Sequence, residues 1–313
     1  GRAPPPPPPS PGAGRGGGGG RPPPPPPIDR YEGLENREAV KQNWRIAQEM
    51  KNVGAPIGFY ERVKECGKKF DVPSVNGYCL YRNVRGAKTV LFLGDSHSYM
   101  SFDAISEFNA HLGVNTLYLQ SGSRMDTLEQ QTNYHRRLLD LIPAQEYQRI
   151  LKVFIIERGV IRVSGRDIDI SAEERNSPLG GDGFRKRLQY LSDRLSGDGK
   201  AVFIVAENPV LYTDIRNLVP TQPLRPLRKL QSLRSRYTPR RSDVLKHQET
   251  YLEALNKVKG ARIIPVIDAF CPKDDCLLTD EEGLPLYSDD DHLSIGAGSR
   301  FLVERVLKPY LEP

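Results

Sequence analysis

Long apolar runs are missing from this sequence. The longest is AVFIVA, Ala201 to Ala206, far short of the ~20 residues a membrane-crossing helix needs. No secretory signal is visible. The chain begins at Gly1 rather than Met, which leaves room for an upstream targeting or membrane portion. C-x-x-C spacing is absent as well, so a zinc site is disfavoured. The four cysteines instead form two close pairs, Cys66 with Cys79 and Cys271 with Cys276. Two local pairs suggest two short disulfide loops and an oxidising compartment; free cytosolic thiols are the alternative. The net charge of +6 is modest. Its densest source, LRPLRKLQSLRSRYTPRR from Leu224 to Arg241, lacks the interleaved aromatics of a nucleic-acid module, so no nucleic-acid partner is assigned. It reads as a solvated face and loop, with an acidic polymer or lipid headgroup as the other option.

The first 27 residues are proline and glycine repeats with almost no apolar side chains, and they read as a disordered spacer. Residues 28–85 read as an N-terminal extension. It holds an amphipathic helix over Arg37–Gly54 and a loop between Cys66 and Cys79. Residues 86–313 read as the main domain. Five short apolar segments recur there: KTVLFLG, VNTLYLQ, LKVFIIE, KAVFIVAE and ARIIPVID. Each is apolar on both alternating faces, as strands of a buried parallel sheet are. Helical patterns separate them, and glycines such as Gly113 and Gly199 stand where helices would end. The fold class is therefore α/β, a three-layer α/β/α sandwich of flavodoxin-like type with a parallel sheet of about five strands.

Ligands of such sheets sit beyond the carboxyl ends of the strands. The first strand ends in GDSH, Gly94 to His97. Ser96 there is either a helix N-cap or a nucleophile near a helix dipole. A nucleophilic serine needs a base. The chain has five histidines. His97 adjoins Ser96 in sequence, an unfavourable geometry for a base. His111, His135 and His247 fall in helical stretches and read as surface positions. His292 differs. It follows Asp289 by three residues in LYSDDDHLSIGAG, between the fifth strand and the last helix. That spacing lets one turn present an imidazole and the carboxylate that orients it. The plainer alternative is a solvated acidic turn. Asp95 and Asp289–Asp291 have no spacing that fixes a metal geometry, and no metal is assigned.

GDSH and D-x-x-H-L-S together resemble the first and last motif blocks of the SGNH hydrolase superfamily. With the C-x4-C loop at Cys271–Cys276, they are most similar to SGNH domains fused to membrane acyltransferases of the acyltransferase-3 type, the polysaccharide O-acetylase kind. The resemblance implies Ser96 as nucleophile, His292 as general base and acid, and Asp289 as orienting carboxylate. It places Gly122, with Ser121 beside it, among the oxyanion donors. No G-x-N-D follows the third strand. Arg158 stands near the position of the missing asparagine, either as a charged donor to an oxyanion or substrate carboxylate, or in an ion pair with Glu157 or another neighbour. The long segment Arg158–Phe184 reads as a polar loop near the site.

The resemblance further implies O-acyl transfer, of acetyl in particular, to a glycan or other small hydroxyl acceptor. Ester hydrolysis on the same residues and a non-catalytic glycan-binding module are the rivals. No cofactor is expected in this domain. An acyl donor such as acetyl-CoA would act only through a membrane acyltransferase partner, fused upstream or separate. The implied location is extracytoplasmic, with tethering to a membrane.

Overall fold

The computed structural model describes residue 45 and residues 59–70, 79–120, 128–164, 179–212, 214–215 and 238–312. The proline/glycine-rich segment, the helix expected over Arg37–Gly54 apart from Arg45, and the basic stretch up to Tyr237 lie outside these residues. No helix among the described residues is long and apolar enough to cross a membrane.

The chain forms a mixed α/β fold around six strands. These are β1 (Cys79–Arg82), β2 (Thr89–Gly94), β3 (Asn115–Gln120), β4 (Ile150–Ile156), β5 (Ala201–Val205) and β6 (Ala261–Ile264). Their order across the sheet is β1-β3-β2-β4-β5-β6. All neighbours pair in parallel except β1, which runs antiparallel to β3. The five expected strands are β2 to β6. The sixth, β1, is only four residues long, CLYR, and carries too little pattern to be read in advance. It lies within the 28–85 stretch yet is hydrogen-bonded to β3 as an edge strand.

The continuous apolar runs bury both faces. Val90 and Phe92 of β2 join one core, while Leu91 and Leu93 join the other. The first core is covered by α3 (Phe102–His111) and by the C-terminal helices α11 (Ala297–Leu302) and α12 (Lys308–Leu311), which a π-turn joins. The second is covered by α4 (Leu128–Asp140), α7 (Gly180–Gly197) and α9 (Glu249–Asn256). The helix α1 (Phe59–Phe70) reaches both cores beside β1, and the Cys66–Cys79 disulfide ties the two together. The second disulfide joins Cys271 to Cys276, so all four cysteines are paired. Gly113 and Gly199, just past α3 and α7, adopt φ of 68° and 75°, the left-handed conformation that ends helices.

Two expectations fail here. The segment after Arg158 is not all loop. A short helix, α6 (Gly159–Ser164), forms because Val160, Ile161 and Val163 are buried, and α7 begins at Gly180. His135 is not on the surface. It is buried on α4, which packs that face against α7.

Register is what places the site. Phe92, Phe154 and Phe203 stand side by side on β2, β4 and β5, with ring centroids 5.1 and 4.8 Å apart. Each stacked pair adds roughly 0.5–1.5 kcal/mol beyond simple burial. The same register sets Gly94 against Ile156. A side chain at Gly94 would put its Cβ 1.8 Å from the Ile156 carbonyl oxygen, so only glycine fits. β2 connects onward to β3 on one side, and β4 lies on the other. This is a topological switch point, where a crevice opens at the strand ends.

Gly94→Ala should therefore cost at least about 2 kcal/mol in denaturant unfolding, because backbone must move to admit the methyl group. Gly197→Ala, whose Cβ would meet nothing, should be neutral or gain up to about 1 kcal/mol. Equal stability of the two variants would refute this reading of the β2–β4 contact.

Candidate active site

Asp95 and Ser96 leave the end of β2 and start the short helix α2 (Ser96–Met100). Asp95, not Ser96, is the N-cap, and its Oδ1 accepts the His97 backbone N–H at 3.1 Å. The capping role is thus filled, and the Ser96 hydroxyl points elsewhere. It lies 2.7 Å from His292 Nε2, a contact across 196 positions of sequence.

His292 is held by a tight loop between α10 (Ile267–Phe270) and α11. Asp289 Oδ1 accepts the backbone N–H groups of Asp291 and His292 at 3.1 and 2.7 Å, closing the turn. Asp289 Oδ2 accepts from His292 Nδ1 at 2.9 Å. Ser288 N–H donates to the His292 carbonyl, and Ser294 Oγ to that of Pro285. Gly298 lets α11 approach closely, since a Cβ there would lie 2.0 Å from the Leu286 carbonyl oxygen.

A second carboxylate reaches the same ring. Asp291 Oδ1 lies 2.8 Å from His292 Nδ1. Its Oδ2 lies 2.9 Å from Arg158 Nε and 3.3 Å from His97 Nε2. Burial alone would pull the His292 imidazole down. Hydrogen bonds to Asp289 and Asp291 outweigh it and hold the group up at about 10. Burial would likewise raise Asp291, but its bonds to His292 and His97 hold it well below the usual carboxylate range. His97 is raised: Asp291 overcomes the burial that would lower it. The rings of His97 and His292 sit 4.9 Å apart.

Beneath this cluster runs a buried chain of charge. Asp95 Oδ2 accepts the Arg158 backbone N–H at 3.0 Å and Arg162 Nη2 at 3.1 Å. Arg162 Nε is 3.6 Å from Glu157 Oε2, and Glu157 Oε1 pairs with Arg187. Buried charges are tolerable only when paired in this way. Glu207, at the end of β5, accepts the Val160 N–H at 2.7 Å. Burial pushes its carboxyl up to about 7, against the opposing pull of His97. His135, beside Arg187, is lowered to about 3 by burial and by that cation.

Ser96, His292, Asp289 and Arg158 thus converge, with Arg158 joined through Asp291. Glu157 pairs with Arg187 and Arg162 and not with Arg158. Gly122 and Ser121 lie outside the described residues. Asp291, His97 and Glu207 were not singled out from sequence as part of the site. The only signal for Glu207 was its place at a strand end, and for Asp291 its place in the D-D-D-H run. The donor atoms of His97, Asp291 and His292, and those of Asp289–Asp291, are close enough to share an ion. Asp291 already has Arg158 and two imidazoles as partners.

A family model, SGNH domain (fused to AT3 domains), matches residues 65–308. The chain belongs to this SGNH family. The match takes in β1 and the C-terminal part of α1, so the family's domain includes the edge strand. No curated protein sequence matches the chain. Among solved structures, the periplasmic domain of a lipopolysaccharide acetyltransferase from Salmonella ser. Paratyphi A aligns with a TM-score of 0.48 at 14% identity, over 84% of this chain and 99% of that one. TesA aligns with a TM-score of 0.36 at 15% identity, over 71% and 99% respectively.

Glu207 gives a pH prediction. Its folded value lies above the ordinary 4.5, so the native state holds a proton that the unfolded chain has released. The stability involved is present at low pH and lost as pH rises from about 4.5 to about 7. The loss is on the order of 3 kcal/mol. Glu207→Gln keeps an acceptor for Val160 and cannot ionise. The stability of wild type relative to this variant should fall across that window in denaturant titrations. A constant difference would mean that Glu207 carries no proton there.

Proposed function

We propose that this SGNH domain transfers acyl groups through a covalent serine ester. The observation that carries the reading is the continuous contact from Ser96 Oγ to His292 Nε2 at 2.7 Å, and from His292 Nδ1 to Asp289 Oδ2 at 2.9 Å. Ser96 attacks the acyl carbonyl while His292 takes its proton. Collapse of the tetrahedral intermediate expels the donor alcohol, which leaves with the proton from His292. An acceptor hydroxyl then gives its proton to His292 and takes the acyl group from Ser96. The developing oxyanion is met by the Ser96 and Gly122 backbone N–H groups, with Arg158 as a charged donor.

Sugar as acceptor makes the domain an O-acyltransferase; water makes it an esterase. The fusion to AT3 domains that describes the family favours the first, with acetyl as the group and a glycan hydroxyl as acceptor. In that reading a membrane acyltransferase partner delivers the acyl group from a donor such as acetyl-CoA. The domain itself needs no cofactor, and it works outside the cytoplasm. The two disulfides support that location.

The test is turnover of a small activated acetyl ester by wild type, Ser96→Ala and His292→Ala, with and without a sugar acceptor. Wild type should exceed both variants by about 10^4-fold or more. Acetylated sugar should form when acceptor is present. Equal rates in three folded proteins would support a binding module instead.

A further inference from the structure

The D-x-x-H spacing nominates one carboxylate for His292, but the folded loop supplies two. Asp289 Oδ2 and Asp291 Oδ1 lie 2.9 and 2.8 Å from the same nitrogen, Nδ1. The two acids are held differently. Asp289 spends its other oxygen on the backbone of its own turn, and its side chain is 15% exposed. Asp291 is 5% exposed and is gripped from other elements. Arg158 at the end of β4 and His97 on α2 hold its second oxygen, and Asn208 beyond β5 donates to its backbone carbonyl at 2.9 Å. Three segments therefore fix a carboxylate that the motif does not count.

We propose that Asp291 is a second positioning carboxylate of His292, sharing with Asp289 the orientation of the ring and the stabilisation of its imidazolium. This rests on the acyl-transfer reading above. The single Nδ1–H is shared between the two acids, and either one alone keeps the ring in the tautomer that leaves Nε2 facing Ser96. Asp291 also links the base to Arg158 and His97, and His97 in turn interacts electrostatically with Glu207. Among the described residues, these groups, with Ser96 and Asp289–Asp291 of its own loop, are the charged and titratable neighbours of His292. The site would then tolerate loss of the motif aspartate far better than a one-acid triad does.

Two readouts test this on the full chain: the His292 titration followed by side-chain NMR, and the pH–rate profile on the activated acetyl ester. The variants are Asp289→Asn, Asp291→Asn and the double. Asparagine at 289 still accepts both turn N–H groups, so that variant should fold. It should leave His292 titrating above the ordinary value of about 6.5. Its turnover should stay within about 100-fold of wild type, where a single-acid triad loses about 10^4-fold. Asp291→Asn should lower the His292 titration and move the acid limb of the rate profile to lower pH. The double variant should bring His292 to its ordinary value or below it, since burial is then unopposed, and turnover to the Ser96→Ala level.

The proposal is overturned if Asp289→Asn alone brings His292 to the ordinary value, or if Asp291→Asn shifts neither the titration nor the acid limb. Should Asp291→Asn fail to fold, leaving Arg158 and His97 unpaired, the Asp289→Asn titration decides the matter alone. Failure of the acyl-transfer reading itself would show separately, as equal ester turnover by wild type and Ser96→Ala, while the NMR titration still reports on Asp291.

Discussion

The parallel pairing of β2 with β4 is the constraint on which the site depends. Gly94 lies against the Ile156 carbonyl too closely for any side chain. That contact brings the polar residues after each strand to one level. Asp95 and Ser96 leave β2, Glu157 and Arg158 leave β4, and Glu207 and Asn208 leave β5. Three strand ends deliver acids, bases and donors to one crevice, because apolar runs on both faces of the sheet forbid placing them any lower. The loop carrying His292 then closes over the crevice from the C-terminal side.

Electrostatics make that convergence possible and limit it. Asp95, Glu157, Arg162 and Arg187 are all buried, and each would be costly if it stood alone. Pairing them in sequence turns separate liabilities into a fixed frame under α2 and α6. Asp291 does the same one layer up, meeting Arg158 and two imidazoles at once. A base gripped by two carboxylates is strongly basic. It is well suited to stabilise the imidazolium of a transition state. The activity expected of such a site rises with pH until His292 loses its proton.

Much of this was legible in the sequence, for physical reasons. The strands β2 to β6 were readable because burial on both faces demands unbroken apolar runs. The Asp289–His292 contact was readable because it closes within one turn. The contact of Ser96 with His292 depends on sheet order, which the alternation of strands and helices constrains. Other features had no local signature. β1 is too short, and α6 hides one buried arginine, Arg162, among its apolar residues. His135 looks like a surface residue until α7 covers it. Among Asp289, Asp290 and Asp291, composition cannot say which carboxylates meet His292; the loop geometry decides, and it brings Asp289 and Asp291 to the ring. The Gly122 and Ser121 expectation stands on sequence alone.

The central claim is that Ser96 is a nucleophile made reactive by His292. Intact-mass spectrometry after exposure to a serine-reactive fluorophosphonate addresses it without knowledge of donor or acceptor. The account predicts one adduct per chain, mapped by peptide fragmentation to Ser96 and lost in His292→Ala. A folded protein that forms no adduct, or forms it on another residue, would contradict the account.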